Sequence, residues 1–213
     1  MNVFVLCSDC CGGKTFTEAC SHITNWTSGH GTRIKNLGQP PINEDHMDPG
    51  DGNYDRVTYP DNHIEIDSRL TWFLGLLDEA YGDNAFYVNL TRNRDNCAIC
   101  CVDRWKPSIS SLYWWFRSIH QSLTLSGGHT TPRQSNKKEK HARRIRFALE
   151  YVNAANSLIR MFLKDKTNTM SFPIEDAADL FPVFWERIGA EGDLDAALAV
   201  FNRTINKQKH CIE

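Results

Sequence analysis

The sequence lacks any apolar run approaching the length of about 20 residues that is needed to cross a bilayer. Its first residues lack both the basic segment and the long apolar stretch of a secretory signal, so we expect a cytoplasmic protein. It also lacks a strong charge of either sign. The net charge is −2 over 213 residues, which argues against nucleic acid or an anionic membrane surface as a partner.

Cysteine, by contrast, is plentiful: eight are present, and in a reducing compartment we expect free thiols rather than a disulfide framework. Three lie in CSDCC, residues 7–11, and three in CAICC, residues 97–101. Two such clusters can form a zinc site, but neither lies on the short hairpin that zinc ribbons use. Free cysteine is usually buried in a protein core. We therefore expect packed thiols and no metal ion, with structural zinc and a redox pair as the alternatives.

The hydrophobic pattern alternates between predicted strands and predicted helices. This alternation favours right-handed crossovers and a parallel sheet covered on both faces. The predicted fold class is α/β, with a central, mainly parallel sheet flanked by helices, in a single domain over 1–213. Short apolar segments predict the strands NVFVL (2–6), HIEI (63–66), AFYVNLT (85–91) and NTMSF (168–172).

Several predicted helices have clear end signals. Gly82 follows the apolar face of one helix and is expected to cap its end. Pro173 opens another, and Asp193 is the expected N-cap of the last. Residues 34–60 have no periodicity and are rich in Pro, Gly, Asn and Asp, which predicts a long surface loop. Helices are predicted at 14–22, 70–81, 93–104, 108–123, 138–164, 173–189 and 193–204.

Two predicted strand-to-helix turns carry residues suited to binding anions. In an open parallel sheet, ligands bind beyond the carboxyl ends of the strands, where such turns lie. In the first, CSDCCGGKT, Gly12 and Gly13 let successive N–H groups point at an anion, and the following helix adds its N-terminal dipole. Lys14 supplies a cation and Thr15 a hydroxyl group. The ordinary alternative is a simple tight turn.

The second turn, LTRNRD, places Arg92 and Arg94 where a helix is predicted to begin. Arginine suits bidentate phosphate binding, although an arginine at a helix start is often only solvated. If the two strands are neighbours, both turns face one pocket, which indicates a nucleotide with phosphates at separated positions. A kinase with a Gly-x4-Gly-Lys-Ser/Thr loop is an alternative, but Ser8 stands where that motif has its first glycine.

Several segments of the chain resemble small sulfotransferases, mostly bacterial and phage-borne. CCGGKTF and ACSHITNWTSGH resemble their 5′-phosphosulfate loop and first helix, and FWERIGAEGDLDAAL resembles their C-terminal segment. YPDNHIEIDSRLTWFLGLLDEAYGDNAFYVNLTRNRD resembles their central segment. The resemblance implies a three-layer P-loop NTPase-like fold and 3′-phosphoadenosine 5′-phosphosulfate (PAPS) as sulfuryl donor. It also implies that Arg92 and Cys100 hold the 3′-phosphate, and that the 5′-phosphosulfate is held by Cys11, Gly12, Gly13, Lys14 and Thr15.

The chain departs from this family at three positions. Cys10 stands where the family normally has a lysine or arginine that stabilises the leaving phosphate. Gly13 stands where serine or threonine is usual, and Cys100 where serine is usual. We expect Lys14, one helical turn away, to take over the role of the missing cation. The alternative is a non-catalytic nucleotide-binding or interaction protein with a degenerate donor site.

Sulfuryl transfer also needs a base for the acceptor's hydroxyl proton. The stretch DNHIEID places His63 and Glu65 on one face of a strand, and the family often uses Glu or His there. We favour Glu65 or His63 as the base, with His30 as runner-up; a hydrogen-bonded structural role is the alternative for each. The basic run 137–146 predicts a solvated helix face that could also attract an anionic acceptor. A group of aromatic residues could line a cleft for a small-molecule, glycan or lipid acceptor, although packing in the core is the more usual role of such residues. The group comprises Trp105, Tyr113, Trp114 and Trp115.

Overall fold

The structure, a computed structural model, describes residues 1–33, 57–104 and 137–209, with the backbone alone at 140 and 204–209. Its strands are Asn2–Leu6 (β1), Thr27–His30 (β2), His63–Ile66 (β3), Ala85–Thr91 (β4) and Thr169–Pro173 (β5). Its α-helices are Gly13–Cys20 (α1), Leu74–Tyr81 (α2), Arg94–Arg104 (α3), Lys137–Leu163 (α4), Ala177–Arg187 (α5) and Leu194–Lys209 (α6). Short 3₁₀ turns occupy Ser68–Trp72, Gly82–Asn84 and Ile174–Asp176.

The strands pair in one parallel sheet with the order β2-β3-β1-β4-β5. β1 lies at the centre, and every residue of NVFVL is buried, as expected for an apolar parallel strand covered on both faces. Its neighbours are β3 on one side and β4 on the other. The predicted α/β class with a central parallel sheet is confirmed.

Helical elements cover both faces of the sheet. Alternate residues of β1 point toward opposite faces, so each face contributes apolar side chains to its own layer. On one face, Phe4 and Leu6 pack in a cluster with residues of the Ser68–Trp72 turn, of α2 and of the end of α4. On the other face, Phe16 of α1 packs edge-to-face against aromatic rings of β5, α5 and α6: Phe172, Phe181, Phe184 and Phe201. The sheet therefore forms the middle of three layers, as predicted.

The chain divides into two compact units. The first comprises 1–92 and 154–213 and holds the sheet, and the second comprises 93–153. In the second unit, the side chain of Asn93 accepts hydrogen bonds at 3.1 Å from the N–H groups of Asp95 and Asn96, which caps α3 at its predicted start. Arg144 of α4 donates to the Val102 carbonyl at 2.6 Å. The single domain over 1–213 stays a prediction.

Strand β2 is the main element that the sequence pattern misses. Its sequence, TSGH, has no apolar run and contains a glycine, so neither periodicity nor strand propensity marks it. The helix predicted to open at Pro173 begins later, because Pro173 still belongs to β5 and α5 starts at Ala177. Within the described residues β5 pairs with β4 alone, and an edge strand tolerates a proline that cannot donate.

Other predicted features have mixed outcomes. Gly82 ends α2 and the Asp193 side chain caps α6, both as predicted. The predicted surface loop 34–60 is described only from residue 57, and there Val57 and Tyr59 are buried rather than exposed. The helix predicted at 108–123 and the aromatic residues proposed to line an acceptor cleft lie outside the described residues. No helix within the described parts of the chain is both long and apolar enough to cross a membrane.

Candidate nucleotide-binding site

The two predicted anion-binding turns lie at the ends of neighbouring strands. β1 and β4 pair in parallel from Asn2 opposite Ala85 to Leu6 opposite Asn89, so both strands end at the same edge of the sheet. The first turn follows Leu6 directly, and Arg92 follows the last residue of β4. The guanidinium Nη1 of Arg92 donates to the carbonyl oxygen of Cys10 at 3.1 Å. The two strands are therefore neighbours, as expected, while a pocket with two anion subsites remains a prediction.

The backbone of the first turn bends sharply before α1. Cys10 has φ 65° and Gly12 has φ 99°, a region that glycine adopts readily and cysteine rarely. Gly12 is the N-cap of α1 and has no side chain with which to cap the helix. The helical bonding begins with the N–H of Phe16 donating to the Gly12 carbonyl at 3.0 Å. The earlier N–H groups of the helix are the donors that an anion at a helix N-terminus uses.

Side chains from the β3 side of the sheet anchor this turn. Ser68 donates its hydroxyl hydrogen to Asp9 Oδ1 at 2.5 Å, and Thr71 donates to the carbonyl oxygen of Cys7 at 3.0 Å. Arg92 anchors the same turn from the β4 side. The turn is thus held by hydrogen bonds from both sides of β1.

Gly13 is packed closely, so a larger residue at this position needs its neighbours to move slightly. A Cβ atom at this position would lie 3.0 Å from Cγ2 of Ile66 and 3.3 Å from Nε2 of His30. The serine or threonine that the sulfotransferase family usually carries here would need these neighbours to move. The same distances place the His30 imidazole directly beside the anion-binding turn.

The side chains of the predicted site differ in how exposed they are to solvent. Lys14 is exposed, whereas Thr15 and Arg92 are half-buried. Arg94 is exposed and pairs with Asp95, its Nε lying 3.1 Å from Oδ1. Cys100, half-buried, belongs to the second unit. The nucleotide-binding roles of Cys11, Lys14, Thr15, Arg92 and Cys100 remain predictions.

The three candidate bases lie on opposite faces of the sheet. His30 pairs with Ile66, whose side chain contacts the start of α1, so His30 faces the α1 side. Glu65 pairs with Phe4 on β1, and Phe4 faces the α2 side. His63 shares the face of Glu65 because the two residues alternate along β3. The register therefore separates the runner-up base from the two favoured ones.

Glu65 and His63 form a closed hydrogen-bonded network. Glu65 is 0% exposed, and its Oε2 lies 2.9 Å from Nε2 of His63. Thr32 donates its N–H to Oε1 at 2.8 Å and its hydroxyl hydrogen to Oε2 at 2.6 Å. His63 Nδ1 lies 2.8 Å from Thr27 Oγ1, and the ring stacks on Tyr59 with centroids 5.4 Å apart. His30, in contrast, is exposed. The catalytic roles predicted for Glu65 and His63 stay predictions.

The cysteines of the first turn are buried. Burial raises the pKa of the Cys7 thiol well above its usual range, and Cys11 and Asp9 nearby raise it further. Ser8 Oγ and Cys11 Sγ lie 3.0 Å apart in a hydrogen bond. A thiolate is the form that binds metals, and this environment disfavours it at Cys7. Within residues 1–33, 57–104 and 137–209, no group of three or more His, Cys, Asp or Glu side chains is arranged to hold a metal ion.

Sequence reasoning missed the residues that hold the site together. Ser68, Thr71 and Thr32 are single polar residues whose partners lie in distant parts of the chain. No motif marks them, because their roles follow from strand order and register.

Comparison with known proteins gives little at the level of sequence. No protein-family model matches the chain, and no curated protein matches it significantly. Among solved structures, the chain is similar to a sulfotransferase from Alicyclobacillus acidocaldarius, with 15% sequence identity over 91% of this chain and 84% of that one, and a TM-score of 0.49. At this identity and TM-score the similarity carries no argument about function.

Proposed function

We propose that the chain binds PAPS at the carboxyl edge of its sheet and acts as a sulfotransferase. One observation carries the proposal: the pairing of β1 with β4 puts the Gly12-Gly13 turn and Arg92 at neighbouring strand ends. Adjacent anion subsites suit a nucleotide with phosphates at separated positions, and PAPS carries a 3′-phosphate and a 5′-phosphosulfate. The resemblance of CCGGKTF and of the central segment to small sulfotransferases supports the same donor.

In this proposal the residues of the two turns divide the donor between them. The N–H groups at the start of α1, together with Lys14 and Thr15, bind the 5′-phosphosulfate through the helix N-terminus, a positive charge and a hydroxyl group. Cys11 and Gly12 contribute backbone to the same turn. Arg92 binds the 3′-phosphate, with Cys100 as its predicted partner. Lys14 stabilises the negative charge that grows on the leaving phosphate.

We assign proton removal to His30 rather than to Glu65 or His63. His30 is exposed and lies on the α1 face beside Gly13, where an acceptor hydroxyl can reach both the base and the donor. Glu65 is buried on the other face, with both carboxylate oxygens engaged. A general base must come within hydrogen-bond reach of the proton that it takes. Accessibility therefore favours the runner-up.

The proposed reaction is an in-line displacement at sulfur. The bond between sulfur and the bridging phosphate oxygen breaks, and a bond forms between sulfur and the acceptor's oxygen or nitrogen. The electron pair of the broken bond leaves with adenosine 3′,5′-bisphosphate, and the acceptor's proton passes to Nε2 or Nδ1 of His30. No metal ion is part of this proposal. A small-molecule, glycan or lipid acceptor fits the chemistry.

The proposal is tested by incubating the protein with PAPS and a panel of hydroxyl and amine acceptors, and measuring bisphosphate release and sulfated product. We expect turnover with at least one acceptor class. His30→Ala should lower the rate by about 10²- to 10⁴-fold, the usual contribution of a general base, while nucleotide affinity is unchanged. His141→Ala, at an exposed position on α4, is the matched control and should behave as wild type. A fully active His30→Ala variant would rule out the assigned base.

A non-catalytic nucleotide-binding protein is the second candidate, and Cys10 is the observation that favours it. The residue is only 9% exposed and carries no charge where the family has a cation. This candidate predicts nucleotide binding without turnover on every acceptor. The wild type would also show no turnover if the panel lacked the right acceptor, and Cys10→Arg distinguishes these two cases. Restoring the cation should produce turnover if the site is degenerate and the acceptor is present, and no turnover if the acceptor is missing.

A further inference from the structure

We infer that Glu65 is a positioning residue that fixes the turn after β2, and through it the place of the His30 imidazole beside the anion-binding turn. The inference rests on the proposed function, since it gives His30 its task. It replaces the predicted role of Glu65 as a base with a role in holding the base.

The carboxylate of Glu65 bonds to the chain immediately after His30. Oε1 accepts the backbone N–H of Thr32 at 2.8 Å, and Oε2 accepts the Thr32 hydroxyl at 2.6 Å. Glu65 is fully buried, and burial strengthens a hydrogen bond because the local dielectric constant is low. Only Gly31 separates Thr32 from His30, so these bonds fix the backbone two residues beyond the imidazole.

Strand β2 needs this support because it is weak on its own. It has four residues and, among the strands that the structure describes, it lies at one end of the sheet and pairs with β3 alone. Serine and glycine at its centre offer little strand propensity. A strand of this kind is fixed by its contacts rather than by its sequence, and Glu65 supplies two of them to the turn that follows.

The close approach of Glu65 to β2 depends on Gly29. A Cβ atom at Gly29 would lie 3.2 Å from Glu65 Oε2 and 2.1 Å from Cγ2 of Thr32. The second distance is far shorter than real contacts allow, so any side chain there would push Thr32 away from the carboxylate. Glycine at this position and the carboxylate opposite it therefore belong to one arrangement.

His63 is the third member of this arrangement, and it allows glutamine to replace Glu65 without loss of the hydrogen bonds. Its Nε2 lies 2.9 Å from Glu65 Oε2, and its Nδ1 lies 2.8 Å from Thr27 Oγ1. With glutamine at 65, the amide oxygen can still accept the Thr32 N–H. The amide N–H₂ can donate to His63 Nε2 when the proton of the imidazole ring is on Nδ1. A positioning role therefore survives the amide, whereas a general base at 65 does not.

The test compares Glu65→Gln, Glu65→Ala, Thr32→Val, His30→Ala and the Glu65→Ala/His30→Ala double variant, with Glu79→Ala on the exposed side of α2 as control. The rate of PAPS consumption is followed against pH, and adenosine 3′,5′-bisphosphate affinity is measured in parallel. We expect the Glu65→Gln variant to keep most of the wild-type rate and the same decline of the rate toward low pH. Glu65→Ala and Thr32→Val should lower the rate at unchanged nucleotide affinity. The double variant should be no slower than His30→Ala.

Two results would overturn the inference. One is a Glu65→Gln variant as inactive as Glu65→Ala, which makes Glu65 the base. The other is a double variant with multiplied losses, which makes the two residues independent. If the wild type neither binds the bisphosphate nor consumes PAPS, the proposed function fails, and the His30 ring resonances in NMR spectra decide the positioning role alone. They should move in Thr32→Val and stay in place in Glu79→Ala; unchanged resonances in both would contradict it.

Discussion

At the scale of single residues, Gly13 and His30 share one small space beside the anion-binding turn. A Cβ atom at Gly13 would lie 3.0 Å from Cγ2 of Ile66 and 3.3 Å from Nε2 of His30, so a side chain there requires these neighbours to move. The glycine that departs from the family pattern is thus explained by its neighbours.

Gly13→Ala should destabilise the protein and displace His30. We expect a loss of about 1–3 kcal/mol in the free energy of unfolding, the usual cost of overpacking, measured by urea denaturation. Gly75→Ala is the matched control, because Gly75 lies in α2 with nothing within 4 Å of its Cβ position. That variant should gain up to about 1 kcal/mol from helix propensity. Equal effects of the two changes would show that Gly13 is not sterically confined.

Lys14→Ala should abolish sulfuryl transfer without unfolding the protein. Lys14 is exposed, so its removal costs little packing, and loss of one charge-stabilising donor typically lowers a rate by about 10²–10³-fold. Circular dichroism checks the fold and product formation checks the rate. Cys10→Arg should raise the rate, although φ 65° at this position strains any non-glycine residue. An active wild type indifferent to Lys14→Ala would end the idea that Lys14 replaces the missing cation.

At the scale of helices and strands, the elements with strong local signals were predictable and the others were not. β1 and β4 are buried apolar strands, and their sequences NVFVL and AFYVNLT identify them. β2 has the sequence TSGH and is held by pairing with β3 and by Glu65, neither of which leaves a local trace. β5 runs one residue further than predicted because its edge position accepts Pro173.

The N-cap of α6 offers a direct check at this scale. Asp193 Oδ1 accepts the N–H of Ala196 at 2.9 Å, as the sequence predicted. Asp193→Ala should lower the free energy of unfolding by about 1 kcal/mol. For a chain of this size that lowers Tm by about 2–4 °C in calorimetry. Asp193→Asn keeps a capping oxygen and should stay near wild type; a matching loss in both variants would assign the effect to charge rather than to the cap.

At the scale of the whole molecule, strand order brings the two predicted turns together. The sequence indicated two anion-binding turns, but their proximity depended on β1 and β4 being neighbours, which no local pattern specifies. The same limit affected the choice among the three candidate bases. Glu65 and His63 were correctly placed on one strand face, yet which face meets the α1 side follows from register with β1 and β2. Strand pairing and register are long-range properties. The kinds of residue in the site were therefore predictable from the sequence, whereas their contacts in space were not.

The central claim is that the two turns form one site for a nucleotide with a 3′-phosphate. Isothermal titration calorimetry with adenosine 3′,5′-bisphosphate, and separately with ATP and Mg²⁺, tests it on the wild type, Arg92→Ala and Arg203→Ala. Arg203 is an exposed arginine paired with Glu18 and serves as the charge-matched control. We predict tighter binding of the bisphosphate than of ATP–Mg²⁺. Arg92→Ala should lose about 10- to 100-fold in affinity, as removal of a hydrogen bond to a charged group implies, and Arg203→Ala should lose none. Tighter binding of ATP–Mg²⁺, or bisphosphate affinity unchanged by Arg92→Ala, would contradict the account.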